Sequence, residues 1–291
     1  MIRIADEVRA ALAGARGVVA LETTLVAHGF PPPEGVAVGA ASAEAVRAGG
    51  AVPATVGVLD GEVVVGLTED ELTRLDASAR KVGPRDVAAA AVQGAIGATT
   101  VGGTLAVCAA VGIRFMATGG LGGVHRGWPT PPDVSADLGV LARTRALVVS
   151  SGVKSLLDVP ATAELLETLG VPVLGWRVDT LPRFYAAAGG PPVSARVESA
   201  DEAARVAAAH WRLGGTGLLL GRPPDDPLDD VEPLIEEALS IARVREIAGQ
   251  DVTPFVLSFL HERSGGRTLA ANRELVAANA ALAAEVAAAA P

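Results

Sequence analysis

The chain has 291 residues, half of them apolar but only 3% aromatic, with a formal charge of −9 and a pI near 5.0. That length can bury a large core made of small aliphatic side chains, while the negative charge and the absence of any Lys/Arg run argue against nucleic acid as a partner. A single cysteine, Cys108, excludes an intrachain disulfide and a cysteine-based zinc site, and its apolar setting in "LAVCAAVG" reads as a buried, inert thiol.

The first residues, "MIRIADEVRAALAGARG", mix acids and arginines and hold no apolar h-region. "GVVALETTLV" (17–26) reads as a buried strand running into a loop, and "GVAVGAASAEAVRAGG" (35–50) as a helix closed by glycines. "VPATVGVLDGEVVVGL" (52–67) is a hairpin turning at Asp60-Gly61. "TEDELTRLDASA" opens with a Thr cap and first-turn acids. Residues 87–113 carry no charge over a span long enough for a membrane helix, but "GATTVGG" interrupts them, so the reading is two buried helices joined by a tight turn. Strands recur at 114–120, 145–152, 171–176, 193–198 and 216–221, with helices at 135–144, 160–169 and 201–213. "RPPDDPLDDVEP" (222–233) reads as a surface loop or lid, and the rest of the chain as helix. The alternation predicts one α/β domain over 1–291: a three-layer α/β/α sandwich with a mostly parallel central sheet and a helical C-terminal region. The protein is expected to be soluble and cytoplasmic, with no membrane partner.

In such a sheet, ligands gather at the carboxyl ends of the strands, and four segments put polar groups there. Glu22, in "ALETT", sits in apolar surroundings where a carboxylate must be paired or protonated; a salt bridge to an Arg and a general acid are the two readings. Lys81 lies in "ASARKVGPRD" beside Arg80 and Arg85, either a phosphate-holding cluster or an ordinary basic loop. "MATGGLGGVHRGWPTPPDVSAD" (116–137) combines close-approach glycines with His125, Arg126, Asp133, Ser135 and Asp137; Asp133 or Ser135 suits a helix cap. It lacks the spacing of a dinucleotide fingerprint or a P-loop. The fourth segment is "VVSSGVKSLLDVP" (148–160). Of 24 basic residues only Lys81 and Lys154 are lysines, and the other 22 are arginines. A position that must act as a neutral amine cannot be Arg. Lys154 follows a strand, has small and apolar flanks and opens a turn or helix, a setting that favours the uncharged amine needed for an imine.

The blocks "ALETTLVAHG", "GAVPATVGVLDG", "KVGPRD", "GATTVGGT", "ATGGLGGVHRG", "DVSADL", "SGVKSLLD", "DVTPFVL" and "GGRTLAANRELVAANA" resemble, in order and from about residue 17 to residue 287, the pseudouridine-5′-phosphate glycosidase or indigoidine-synthase-A-like family. The resemblance implies an α/β/α sandwich, usually a homotrimer. It also implies a divalent metal, typically Mn²⁺, and reversible cleavage of the C–C glycosidic bond of pseudouridine 5′-phosphate to uracil and ribose 5-phosphate. Carried over by motif, Glu22 is the proton donor and Lys154 the nucleophile. Lys81 contacts substrate, Asp133 is the metal-linked acid, and Ser135, Ala136 and Asp137 are substrate contacts. Val101 is a backbone contact, and Thr118, His125 and Asn272 line the pocket. Three departures stand out. Thr23 replaces the family's usual Ser, "SSGVKS" replaces a common "CAGxKS", and "GRPPDD" (221–226) replaces "NPIP", which bears on contacts from that loop but not on the reaction type.

By this reading Lys154 converts the sugar to an imine while Glu22 supplies protons. Two rivals use the same residues differently: an aldolase-type lyase on another phosphosugar would also need Lys154, and a non-catalytic phosphate-binding module would leave it exposed and unreactive.

Overall fold

The computed structural model describes residues 2–127, 133–247 and 249–291. Its strands are β1 (Ile2–Ile4), β2 (Val18–Leu21), β3 (Val52–Leu59), β4 (Glu62–Val65), β5 (Arg80–Val82), β6 (Gly97–Thr99), β7 (Phe115–Ala117), β8 (Val124–His125), β9 (Leu147–Ser150), β10 (Leu157–Asp158), β11 (Val173–Trp176), β12 (Ala195–Val197) and β13 (Leu218–Gly221). Its helices are α1 (Asp6–Ala13), α2 (Glu34–Ala48), α3 (Glu69–Leu72), α4 (Val87–Val92), α5 (Val101–Val111), α6 (Ala136–Leu141), α7 (Val159–Thr168), α8 (Ala200–Arg212), α9 (Glu232–Val244), α10 (Val252–Arg263) and α11 (Arg267–Ala288).

Eleven strands form one sheet in the order β1-β4-β3-β2-β7-β9-β13-β11-β12, with β6 joining β3 and β5 joining β6. Pairing is parallel from β3 through β2, β7, β9, β13 and β11 to β12; β3 runs antiparallel to β4 and β6. Successive residues of a strand point to opposite faces, so a strand covered on both sides feeds two cores. Val18 and Ala20 of β2, Met116 of β7, Val148 of β9 and Leu219 of β13 belong to one core. Their neighbours Val19, Leu21, Phe115, Ala117, Leu147, Val149, Leu218 and Leu220 belong to the other. The first core is closed by α1, α5, α6, α7, α9 and α10, the second by α8 and the alanine-rich second half of α11. This is the expected three-layer α/β/α sandwich. The low aromatic content has a packing consequence: Ala280, Ala283, Ala284 and Ala287 let α11 lie close against the sheet and α2.

Several local expectations change. Residues 87–113 are two short helices separated by β6, because 97–99 pair with β3 and β5 instead of making a bare turn. Of α4 only Ala90 is buried. No helix among the described residues is long and apolar enough to cross a membrane. The segment after β2 is a π-helical turn, Leu25–Gly29, a geometry that concentrates at functional sites. Residues 222–231 are a surface loop without helix or strand.

Candidate active site

The carboxyl ends of β2, β6, β7 and β9 open into one cavity of about 460 Å³. Glu22, Lys81, Thr118, His125, Asp133, Ser135, Ala136, Asp137, Lys154 and Asn272 all line it. Of the residues that the family resemblance assigns to the site, Val101, expected as a backbone contact, is the one absent from the lining: its side chain is buried in the core, and the preceding Thr100 faces the cavity. Residues 128–132, the proline-rich part of the third segment, lie outside the described residues.

Glu22 is 7% exposed and follows directly on β2. Among the described residues no arginine forms a salt bridge with it. Its two carboxylate oxygens accept instead from the hydroxyls of Thr24 and Thr118, one at the end of its own strand and one at the end of β7. Thr23, the residue expected to preserve a family hydroxyl, turns away and donates to Val56 O at 2.7 Å. Thr24 is therefore a site residue the sequence reading missed; its place two residues from Glu22 was the available signal. His28, on the π-helical turn, also lines the cavity. Its Nε2 lies 3.1 Å from Ala79 O, and burial pushes its pKa down.

The basic cluster around Lys81 is split by strand alternation. Arg80 points away to Gln93 Oε1 at 2.7 Å, and Arg85 is 92% exposed at the cavity mouth, while Lys81 faces inward. Burial lowers the Lys81 pKa, and the nearby Lys154 charge adds to the effect against the opposing pull of Glu22, Asp137 and Asp251. The two lysines thus share one electrostatic environment.

Lys154 lies in a turn, not at a helix N-terminus: α7 begins only at Val159, where Asp158 caps it by accepting from Ala161 N at 3.0 Å. The helix start therefore falls five residues beyond Lys154. The Lys154 turn is held from outside by Arg126. Its Nη2 donates to Ser155 O at 2.6 Å and its Nε to Leu157 O at 3.3 Å, while Nη1 pairs with Glu232 (2.8 Å) and Glu236 of α9. Gly120 is needed beneath the turn: a Cβ there would come within 2.6 Å of the Phe184 ring and 3.2 Å of Lys154 Cγ. At Gly122 a Cβ would collide with the Ser135 hydroxyl and the Asp137 carboxylate.

Ser135 caps α6, accepting from Asp137 N at 3.2 Å. Asp137 is 5% exposed and accepts from Gly102 N (2.7 Å) and Gly122 N (3.1 Å), so it ties the start of α5 to the glycine loop. Asp137→Ala would orphan both N–H groups. We expect it to cost roughly 2–4 kcal/mol and to lower Tm by about 5–10 °C in thermal unfolding without ligand. Asp137→Asn, which keeps one acceptor, should fall between. From α11, Asn279 donates to Thr118 O at 2.9 Å and to Ser151 Oγ at 3.1 Å, fixing the ends of β7 and β9 on which the site rests.

Asp133 is 41% exposed with its carboxylate 3.6 Å from His125 Nδ1. Burial lowers the His125 pKa, and Asp133 opposes that effect. Among the described residues no group of three His, Cys, Asp or Glu side chains is arranged to hold a metal. A single open carboxylate on the cavity wall suits only a hard cation that takes its other ligands from water or a bound anion. Cys108 is fully buried and its thiol is pushed up to about 12, as an inert core residue should be.

A parallel α/β sheet with a buried carboxylate and two lysines converging at its strand ends is the framework of an enzyme acting on a small molecule. The model of the family described as "Indigoidine synthase A like protein" matches residues 7–289. The chain belongs to the indigoidine synthase A like family. It is 46% identical to the pseudouridine-5′-phosphate glycosidase of Sorangium cellulosum, over 98% of this chain and 92% of that protein. It is 48% identical to the one of Streptomyces griseus, over 99% and 91%. Among solved structures, a prealnumycin C-glycosynthase AlnA in complex with ribulose 5-phosphate is 41% identical and superposes with a TM-score of 0.89, over 99% of this chain and 96% of that one. An indigoidine synthase A-like protein of Thermotoga maritima is 35% identical with a TM-score of 0.88, over the same shares.

Proposed function

We propose that the protein is a pseudouridine-5′-phosphate glycosidase that breaks, and in reverse forms, the bond between C1′ of a ribose 5-phosphate unit and C5 of uracil. The observation that carries the reading is that Glu22 and Lys154, from the ends of different strands, line one cavity together with Lys81. The glycosidases at 46% and 48% identity support it.

In this mechanism the Lys154 amine attacks C1′ and the C1′–O4′ bond breaks. Glu22 gives a proton to O4′ and is reprotonated from the new C1′–ammonium. The nitrogen lone pair then forms C1′=N as the C1′–C5 bond breaks, and Glu22 protonates C5 so that uracil leaves neutral. Water hydrolyses the imine, releasing ribose 5-phosphate and restoring the amine. The imine is what makes a carbon leaving group feasible. Lys81 and Arg85 provide the positive charge for the phosphate. The test is uracil release from pseudouridine 5′-phosphate, with borohydride reduction in the presence of ribose 5-phosphate. A reduced adduct mapping to any residue other than Lys154, or no uracil release, overturns the reading.

A divalent cation, Mn²⁺ by family resemblance, would sit on Asp133 and supply charge neutralisation. Exhaustive chelation should lower turnover at least tenfold with recovery on added Mn²⁺, while Asp133→Ala should stay low at millimolar metal. Full activity after chelation would remove the ion from the scheme.

The C-glycosynthase similarity favours one second reading, synthesis of a C-glycoside on an aglycone other than uracil. A protein that forms the ribose 5-phosphate adduct yet neither releases nor captures uracil would support it.

A further inference from the structure

A second concavity of about 570 Å³ lies on the opposite edge of the sheet, at the amino ends of β2 and β7. Four arginines from four different segments border it: Arg16 after α1, Arg114 before β7, Arg145 before β9 and Arg212 at the end of α8. All four are exposed. Phe115 and Trp211, packed edge to face at 5.9 Å, form part of its apolar floor.

Most arginines of this acidic chain are engaged by carboxylates, as Arg74 is by Asp60 and Arg267 by Asp230. These four are not. Among the described residues no carboxylate lies within ion-pair distance of them, and the Arg114 guanidinium sits 5.7 Å from the Trp211 ring centre. Among the described residues no acidic side chain borders the groove. The helix C-termini ending here, of α1, α5, α8 and α11, draw cations towards this edge through their partial negative charge. Among the described residues these guanidinium groups make no hydrogen bond, so each arginine keeps its fork of N–H donors open. That fork matches the paired oxygens of a phosphate.

We propose that this groove binds a small di- or triphosphate anion, inorganic or carried by a nucleoside. Its place at the amino ends of the strands makes it separate from the catalytic cavity, and the proposal does not depend on the reaction assigned there.

The test is titration calorimetry at low salt with inorganic tripolyphosphate and, separately, ATP. Wild type should bind, and affinity should fall as salt rises. Equal affinity for the two anions assigns recognition to the phosphates, and tighter ATP binding adds the Phe115–Trp211 floor; both support the site. Arg145→Glu with Arg212→Glu should weaken binding at least tenfold, and Arg145→Gln with Arg212→Gln by a smaller factor. Lys81→Met, in the other cavity, should leave it unchanged. Both replaced arginines are exposed and unpaired, so an unchanged melting temperature is the folding control, and the Gln pair serves if the Glu pair fails it. Wild-type affinity in both pairs, or loss that follows Lys81→Met instead, overturns the proposal. So does absence of binding by wild type, and if the Glu pair then changes the mass in light scattering, the groove is a contact between copies.

Discussion

Lys154→Arg should abolish uracil release, by on the order of 10⁴-fold or more, with no borohydride-trapped adduct. The substitution keeps the charge and nearly the length, and on the surface of a chain with 22 arginines it would be neutral. At this position a guanidinium, always protonated, cannot attack C1′ or form C1′=N. Lys81→Arg is the matched control. Lys81 shares the cavity and feels the Lys154 charge, yet a phosphate or hydroxyl contact needs only a donor. That variant should raise KM several-fold and remain trappable. An active, trappable Lys154→Arg protein would end the imine assignment. Loss of trapping in Lys81→Arg, with Lys154→Arg still trappable, would exchange the roles of the two lysines.

Glu22→Gln should lower turnover by about 10²–10⁴-fold, the usual range for a positioned proton donor, with substrate binding retained. The carboxamide has the shape of the carboxyl group. Its oxygen accepts from one of the two threonines, and the other hydroxyl rotates to accept from the new NH₂, so both side-chain contacts are kept. Melting temperature should therefore stay within about 3 °C of wild type, since only a modest rearrangement of hydrogen bonds is involved. Turnover near the wild-type rate would transfer the acid role to another carboxylate of the cavity, with Asp137 the next candidate.

The sequence by itself determined the layered fold. Runs such as "RALVVSSG" and "TGLLLG" are apolar on both faces, which only a strand covered on both sides tolerates, and the intervening helices supply the cover. It also marked Lys154, because two lysines among so many arginines single out positions where the residue type matters, and it brought forward Glu22 as a carboxylate among apolar neighbours. Tertiary structure decided what those residues meet. Whether Glu22 found an arginine or hydroxyls depended on β7 delivering Thr118 next to β2, a pairing between residues 96 positions apart. Which member of the Arg80-Lys81 pair faces the cavity depended on β5 joining β6, since one step along a strand reverses the side-chain direction. Lys154 sits in a turn and not at the start of α7 because β10 pairs with β8 and postpones α7 to Val159. Such contacts join segments far apart in the chain and carry no local period, so residue spacing cannot announce them; they are set when the sheet order brings the strand ends together.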